Sequence, residues 1–195
     1  MQDAVSRSRS ASLPNLLTYG RIAAAPALVS CLFFLEGDVA RWSAFATFAA
    51  ASATDWLDGY LARAWAQQSA LGRMLDPIAD KLLVGAALVM LVHDGTIGGW
   101  SIWAALIILC REILVSGLRE YLAELNVRVH VTRMAKVKTG FQMAALAALL
   151  AGPAAGEIIP GALEAGLALL WLAALLTLWT GYDYLKAGIA HAMER

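Results

Sequence analysis

Asp55, Asp58, Asp76 and Asp80 fall within one short stretch of an otherwise apolar chain. On a helix the first two are spaced i,i+3 and the last two i,i+4, so each pair projects from one face. Two acidic helix faces can therefore converge. Four bare carboxylates in so apolar a setting repel one another and are costly to desolvate unless cations or protons neutralise them. A divalent metal site resolves this. Two ions held by clustered carboxylates can clamp a diphosphate and stabilise both the attacking and the leaving oxygen of a phosphoryl displacement. Mg²⁺ suits such a site because it prefers oxygen ligands and completes its shell with substrate phosphate and water. Gly59 follows Asp58 directly and Ala62 lies one turn beyond it, leaving a nearly bare face against which a ligand can lie. Gly72 offers a second close approach, and Arg63 can pair with a phosphate or a base edge. Small residues taken singly also serve helix packing; their registration with four acids is what points to a ligand.

The elements that must position these residues are read from the apolar runs. The chain of 195 residues is 60% hydrophobic and 15% charged, with the charges gathered in short blocks, which is the profile of a polytopic membrane protein. Residues 1–12 form a polar tail with Arg7 and Arg9, residues 13–190 a single membrane domain, and residues 191–195 a C-terminal tail. Apolar runs extend from Leu16 to Leu35, from about Trp42 to Leu61, from Asp76 to His93, from Trp100 to Leu122, from Thr139 to Ala151 and from Ile158 to Tyr184. The expected fold is all-α, with six transmembrane helices. The first run is too long for the apolar core of a signal peptide and no small-residue cleavage site follows it. Pro26 is a candidate kink, and Thr18 and Arg21 sit near the entrance of that helix. Pro77 is tolerated in a helix's first turn, so the second acid pair is expected at a helix entrance.

Lys and Arg decide the orientation. The N-terminal tail, the Arg63 to Arg73 connection, the Arg119 to Lys138 connection and the Lys186 to Arg195 tail are basic, whereas the other three connections hold only Arg41. Six spans with both termini cytosolic place every basic segment inside and the acid motif at the cytosolic face of the membrane. Net charge is zero, so nothing points to nucleic acid. Cys31 and Cys110 lie in apolar runs and read as structural. His93, His130 and His191 lack metal-ligand spacing, the Trp residues mostly flank spans as interfacial belts do, and Asp183 reads as the interfacial end of a helix.

The run D-x-x-D-G-x-x-A-R-x(8)-G-x-x-x-D-x-x-x-D, from Asp55 to Asp80, resembles the signature of the CDP-alcohol phosphotransferases and matches it at every fixed position. The resemblance implies that Asp55, Asp58 and Asp76 hold two Mg²⁺ or Mn²⁺ ions, with Asp80 completing the metal site and acting as general base. It implies that Asp55, Gly59, Ala62, Arg63, Ser69 and Gly72 receive the CDP moiety of CDP-diacylglycerol. Further segments, P-N-L-L-T-Y-G-R from Pro14, R-E-I-L-V-S-G-L-R-E from Arg111 and A-K-V-K-T from Ala135, are similar to the bacterial members whose acceptor is sn-glycerol 3-phosphate. Ala135 departs from the Gly usual there. The implied reaction moves the phosphatidyl group from CDP-diacylglycerol to sn-glycerol 3-phosphate, with membrane lipid as the setting.

An anionic acceptor needs its own cations. Arg111 and Arg119 lie about two helical turns apart, and Lys136 and Lys138 come from the next cytosolic entrance. These four, with Arg21, are the expected glycerol-phosphate pocket. Simple positive-inside anchoring is the plainer account of Arg119 and the lysines. Within the family, serine, inositol phosphate and phosphatidylglycerol are competing acceptors. Outside it, a small cation transporter also places acids in a membrane, and a prenyltransferase also clamps a diphosphate but is expected to be longer. The many Ala and Gly residues suit a homodimer.

Overall fold

The computed structural model describes residues 13–65, 70–124 and 133–193, with side chains for 16–54, 72, 74–123, 137–182, 185 and 186. Among the described residues six helices follow one another: α1 (Leu13–Phe34), α2 (Gly37–Trp65), α3 (Ala70–His93), α4 (Ser101–Glu124), α5 (Arg133–Ile158) and α6 (Ala162–Met193). The all-α expectation is met. Among the described residues four helices contain stretches long and apolar enough to cross a membrane, at Leu16–Phe34, Ser101–Ala123, Val137–Ile158 and Ala162–Tyr182. The acid motif and its flanking charges fall on the other two, α2 and α3. Large apolar side chains such as Phe34, Val89, Trp103, Ile113 and Trp179 face outward, as lipid-facing residues do.

The chain divides into two compact units, residues 1–90 and 91–195. In the first, α1 and α2 pack as an antiparallel hairpin joined at Leu35 and Glu36. Ala40, Ala44, Phe48 and Ala51 form the buried stripe of α2, and Ala25 and Leu28 that of α1. Alanines let two backbones approach closely, which is how helices gain contact where lipid is as apolar as the side chains. Hydroxyls along α2 stay internally satisfied: Thr47 donates to Ser43 O at 2.8 Å and Ser52 to Phe48 O at 2.7 Å. Ser30 likewise donates to Pro26 O at 2.8 Å, the residue at which α1 lacks a backbone donor.

In the second unit α6 packs against both α4 and α5. Ala145, Leu146, Leu149 and Leu150 on α5 and Leu170, Ala173 and Ala174 on α6 are buried. Gly166 marks the closest approach, since a Cβ there would meet Leu149 Cδ2 at 3.0 Å. The unit opens on a tight turn after α3, in which Ile97 N–H donates to Leu91 O at 2.8 Å and Thr96 N–H to Asp94 Oδ1 at 2.8 Å, with Gly95 at φ 78°. This closes the helix end as a Schellman-type cap does.

Two helix boundaries differ from the sequence expectation. α3 begins at Ala70, so Asp76 and Pro77 lie inside the helix rather than at its entrance. Only one backbone bond is forfeited at Pro77, and the Pro77 carbonyl accepts a hydrogen bond from Lys81 Nζ at 2.9 Å. α5 runs past Ala151, crossing a kink at Gly152 (φ 33°, ψ −116°) before Pro153. The proline clashes with the preceding turn, and glycine supplies the conformation that relieves it. Cys31 and Cys110 are both free thiols.

Candidate active site

The first unit gathers the acid motif by register. Asp55 and Asp58 lie in the helical backbone of α2, and they continue the i,i+4,i+7 register of its buried alanine stripe one turn beyond Ala51. Because the hairpin is antiparallel, this end of α2 is level with the beginning of α1, where Thr18 and Arg21 are buried. α3 is tied to the same end. Asp76 Oδ1 accepts from Thr18 Oγ1 at 2.7 Å and from Arg21 Nη2 at 2.9 Å. Asp80 follows Asp76 by one helical turn and is half-buried. The side chains of Asp55 and Asp58 lie outside the described residues, as do those of Ala62 and Arg63; Ser69 does so entirely. Gly59 shares α2 with them, and Gly72 is buried in the first turn of α3.

Among the described residues no group of three or more His, Cys, Asp or Glu side chains is gathered around a metal position. Asp76 nevertheless suits a hard cation. Both of its donors occupy Oδ1, and among the described residues none reaches Oδ2. With three further carboxylates in the motif, the donor set is oxygen alone, which fits Mg²⁺ or Mn²⁺.

The second unit holds a polar cluster at the level where α5 begins. Glu112 on α4 accepts from its neighbour Arg111 at 3.3 Å and pairs closely with Lys138 on α5. Arg111 Nη2 donates to Thr180 Oγ1 on α6 at 3.0 Å, and that hydroxyl donates in turn to Leu176 O at 2.9 Å. Lys138 and Thr180 are buried, and the Arg111 side chain is 10% exposed. Two of the expected acceptor cations, Arg111 and Lys138, thus meet at one carboxylate, that of Glu112; Arg119 follows Arg111 on α4. Lys136 shares the first turn of α5, its side chain outside the described residues. Arg21, the fifth cation expected there, lies in the first unit and pairs with Asp76.

Arg111 is opposite the early part of α5 and the late part of α6, and α4 and α6 both continue about 20 Å past that level at 1.5 Å per residue. Arg119 and Glu120 on α4 are exposed.

Sequence reasoning passed over several residues of these clusters. Thr180 holds Arg111, and Gly181 makes room for it, since a Cβ there would meet Arg111 Cγ at 3.2 Å and Nε at 3.4 Å. Thr177 Oγ1 and Gln142 Oε1 are buried without a hydrogen-bond partner among the described residues. A polar i,i+3 pair, Thr177 and Thr180, inside the apolar last helix was the available signal.

Comparison with known proteins places this geometry in a family. The profile described as CDP-alcohol phosphatidyltransferase matches residues 11–179. A Rickettsia bellii protein named CDP-diacylglycerol–glycerol-3-phosphate 3-phosphatidyltransferase is 46% identical over 176 residues, covering 90% of this chain and 94% of its own. Proteins of the same name from Escherichia coli K12 and Cereibacter sphaeroides are 42% and 38% identical, each alignment covering 94% of this chain and 98% of the relative. With its acid motif set at one end of an α-helical unit and a profile match over most of its length, the chain belongs to the CDP-alcohol phosphatidyltransferase family.

Proposed function

We propose that the protein transfers the phosphatidyl group of CDP-diacylglycerol to sn-glycerol 3-phosphate, forming phosphatidylglycerol phosphate and CMP. The observation that carries this is the full-length likeness to relatives bearing one and the same enzyme name. The intact Asp55–Asp80 motif supports it. The protein is a multi-pass membrane protein with at least four apolar spans; we read six spans in a bacterial cytoplasmic membrane, both termini cytosolic, and a homodimer.

Asp55, Asp58, Asp76 and Asp80 would hold two Mg²⁺ or Mn²⁺ ions. Bound there, the ions would neutralise the diphosphate and stabilise the charge that develops on its oxygens. Gly59, Ala62 and Gly72 leave the backbone bare for the CDP moiety, with Arg63 and Ser69 as polar contacts. Asp80 takes the proton from the glycerol 1-hydroxyl, whose oxygen attacks the phosphorus that carries diacylglycerol. The bond from that phosphorus to the oxygen bridging to CMP breaks, and CMP leaves with that oxygen.

In the second unit Arg111, Arg119 and Lys138 recognise the acceptor's phosphate, with Lys136 beside them. Arg111 presents a planar fork suited to phosphate oxygens, and its direction is fixed by Thr180 and the bare face at Gly181. Arg111→Ala should raise the KM for glycerol 3-phosphate by about ten- to a hundredfold, the worth of a charge-assisted hydrogen bond, and change that for CDP-diacylglycerol far less. Gly181→Ala should move the same constant in the same direction by pushing Arg111 off α6. Equal effects on both substrates would contradict the assignment.

A further inference from the structure

The first helix carries no acid of the motif, yet it fixes one of them. Thr18 and Arg21 are spaced i,i+3 on α1 and therefore share a face. They are only 1% and 3% exposed, and both give a hydrogen bond to Asp76 Oδ1, from 58 and 55 positions away in the chain. An arginine fork meeting a carboxylate commonly takes both oxygens. Here a single nitrogen meets a single oxygen, and the threonine hydroxyl takes the same one. Among the described residues Oδ2 accepts no hydrogen bond, while the Asp76 side chain is 34% exposed.

We propose that Thr18 and Arg21 are positioning residues that orient Asp76, saturating Oδ1 so that Oδ2 is the oxygen offered to a divalent cation. The inference rests on the reading of the four aspartates as metal ligands. A ligating carboxylate held by outer hydrogen bonds arrives in its binding orientation, and loss of such partners commonly weakens metal affinity by about 10- to 100-fold. The two donors do not act alike. Arg21 also brings a positive charge towards the cation, so its substitution combines lost orientation with relieved repulsion. Thr18 is uncharged, so its substitution leaves the charge beside the cation unaltered. This makes Thr18 the residue to test.

Mn²⁺ affinity of the purified full chain in detergent, read as loss of the free-ion electron paramagnetic resonance signal, tests this without reference to activity. Thr18→Val keeps the shape and Thr18→Ala removes it; each is expected to weaken Mn²⁺ binding about tenfold or more. Thr18→Ser should return affinity to near the parent value. The thermal midpoint in chelator should be the same in all four proteins, and Thr18→Val should have no further effect on Mn²⁺ binding in an Asp76→Asn background. Parent and Thr18→Val proteins that bind Mn²⁺ equally would overturn the positioning role and leave the metal reading intact. A parent protein that binds no Mn²⁺ would overturn the metal reading itself. Weaker binding that tracks a lowered midpoint in chelator, unrepaired by serine, would make Thr18 merely structural and overturn the proposal.

Discussion

Asp80→Asn is expected to lower kcat by about 10²- to 10⁴-fold, the range in which a positioned general base contributes. Asparagine keeps the shape of the side chain but neither accepts a proton at neutral pH nor carries charge. Asp80 is half-buried on α3, one turn beyond Asp76, so the exchange opens no cavity and the thermal midpoint should change little. Release of CMP at saturating levels of both substrates reads the effect. A rate within about tenfold of the parent would place the base elsewhere.

Glu112→Leu is expected to have the largest effect on stability. Glu112 is shared by Arg111 and by Lys138, whose side chain is 5% exposed. Removing one partner of a buried ion pair leaves the other charge uncompensated and typically costs about 3–5 kcal/mol. Replacing both by apolar residues removes the stranded Lys138 charge and leaves Arg111 on Thr180, so Glu112→Leu with Lys138→Met should recover part of that loss. Unfolding of the four proteins in detergent gives the cycle. If the double variant is as unstable as the sum of the two singles, the pair does not act as a unit.

The motif from Asp55 to Asp80 was legible because its chemistry is contiguous. Helical spacing alone places Asp55 with Asp58 and Asp76 with Asp80, and the structure keeps both pairs on regular helix. The contacts that orient the motif were not legible in the same way. Nothing in the sequence near Asp76 announces Thr18 and Arg21, because the hairpin of α1 and α2 and the return of α3 must form before they meet. Arg21 was grouped with the acceptor cations on its charge, and its contact with Asp76 is tertiary.

The second unit shows the same division. Arg111, Arg119 and Lys138 stood out as charges in apolar surroundings, and the structure brings Arg111 and Lys138 onto Glu112. Gly181 and Thr180, which hold Arg111, lie in a run whose composition reads as ordinary membrane helix. Glycine at 181 has meaning only once Arg111 is known to lie against it. Helix ends were the weakest reading: α3 runs through Pro77, which was expected at a helix entrance, whereas the end expected at Ala151 coincides with the non-helical Gly152 before Pro153. A proline forfeits one hydrogen bond and strains one turn; packing on both sides of it can outweigh that.

Release of CMP from CDP-diacylglycerol by purified protein is the direct measure of the reaction. Glycerol 3-phosphate, serine, inositol phosphate, phosphatidylglycerol and water would be compared as acceptors, with Mg²⁺ present or chelated. Release is expected with glycerol 3-phosphate alone, abolished by the chelator and restored by added Mg²⁺. Selective release with another alcohol would contradict the proposed acceptor, and no release with any acceptor from folded protein would contradict the transferase itself.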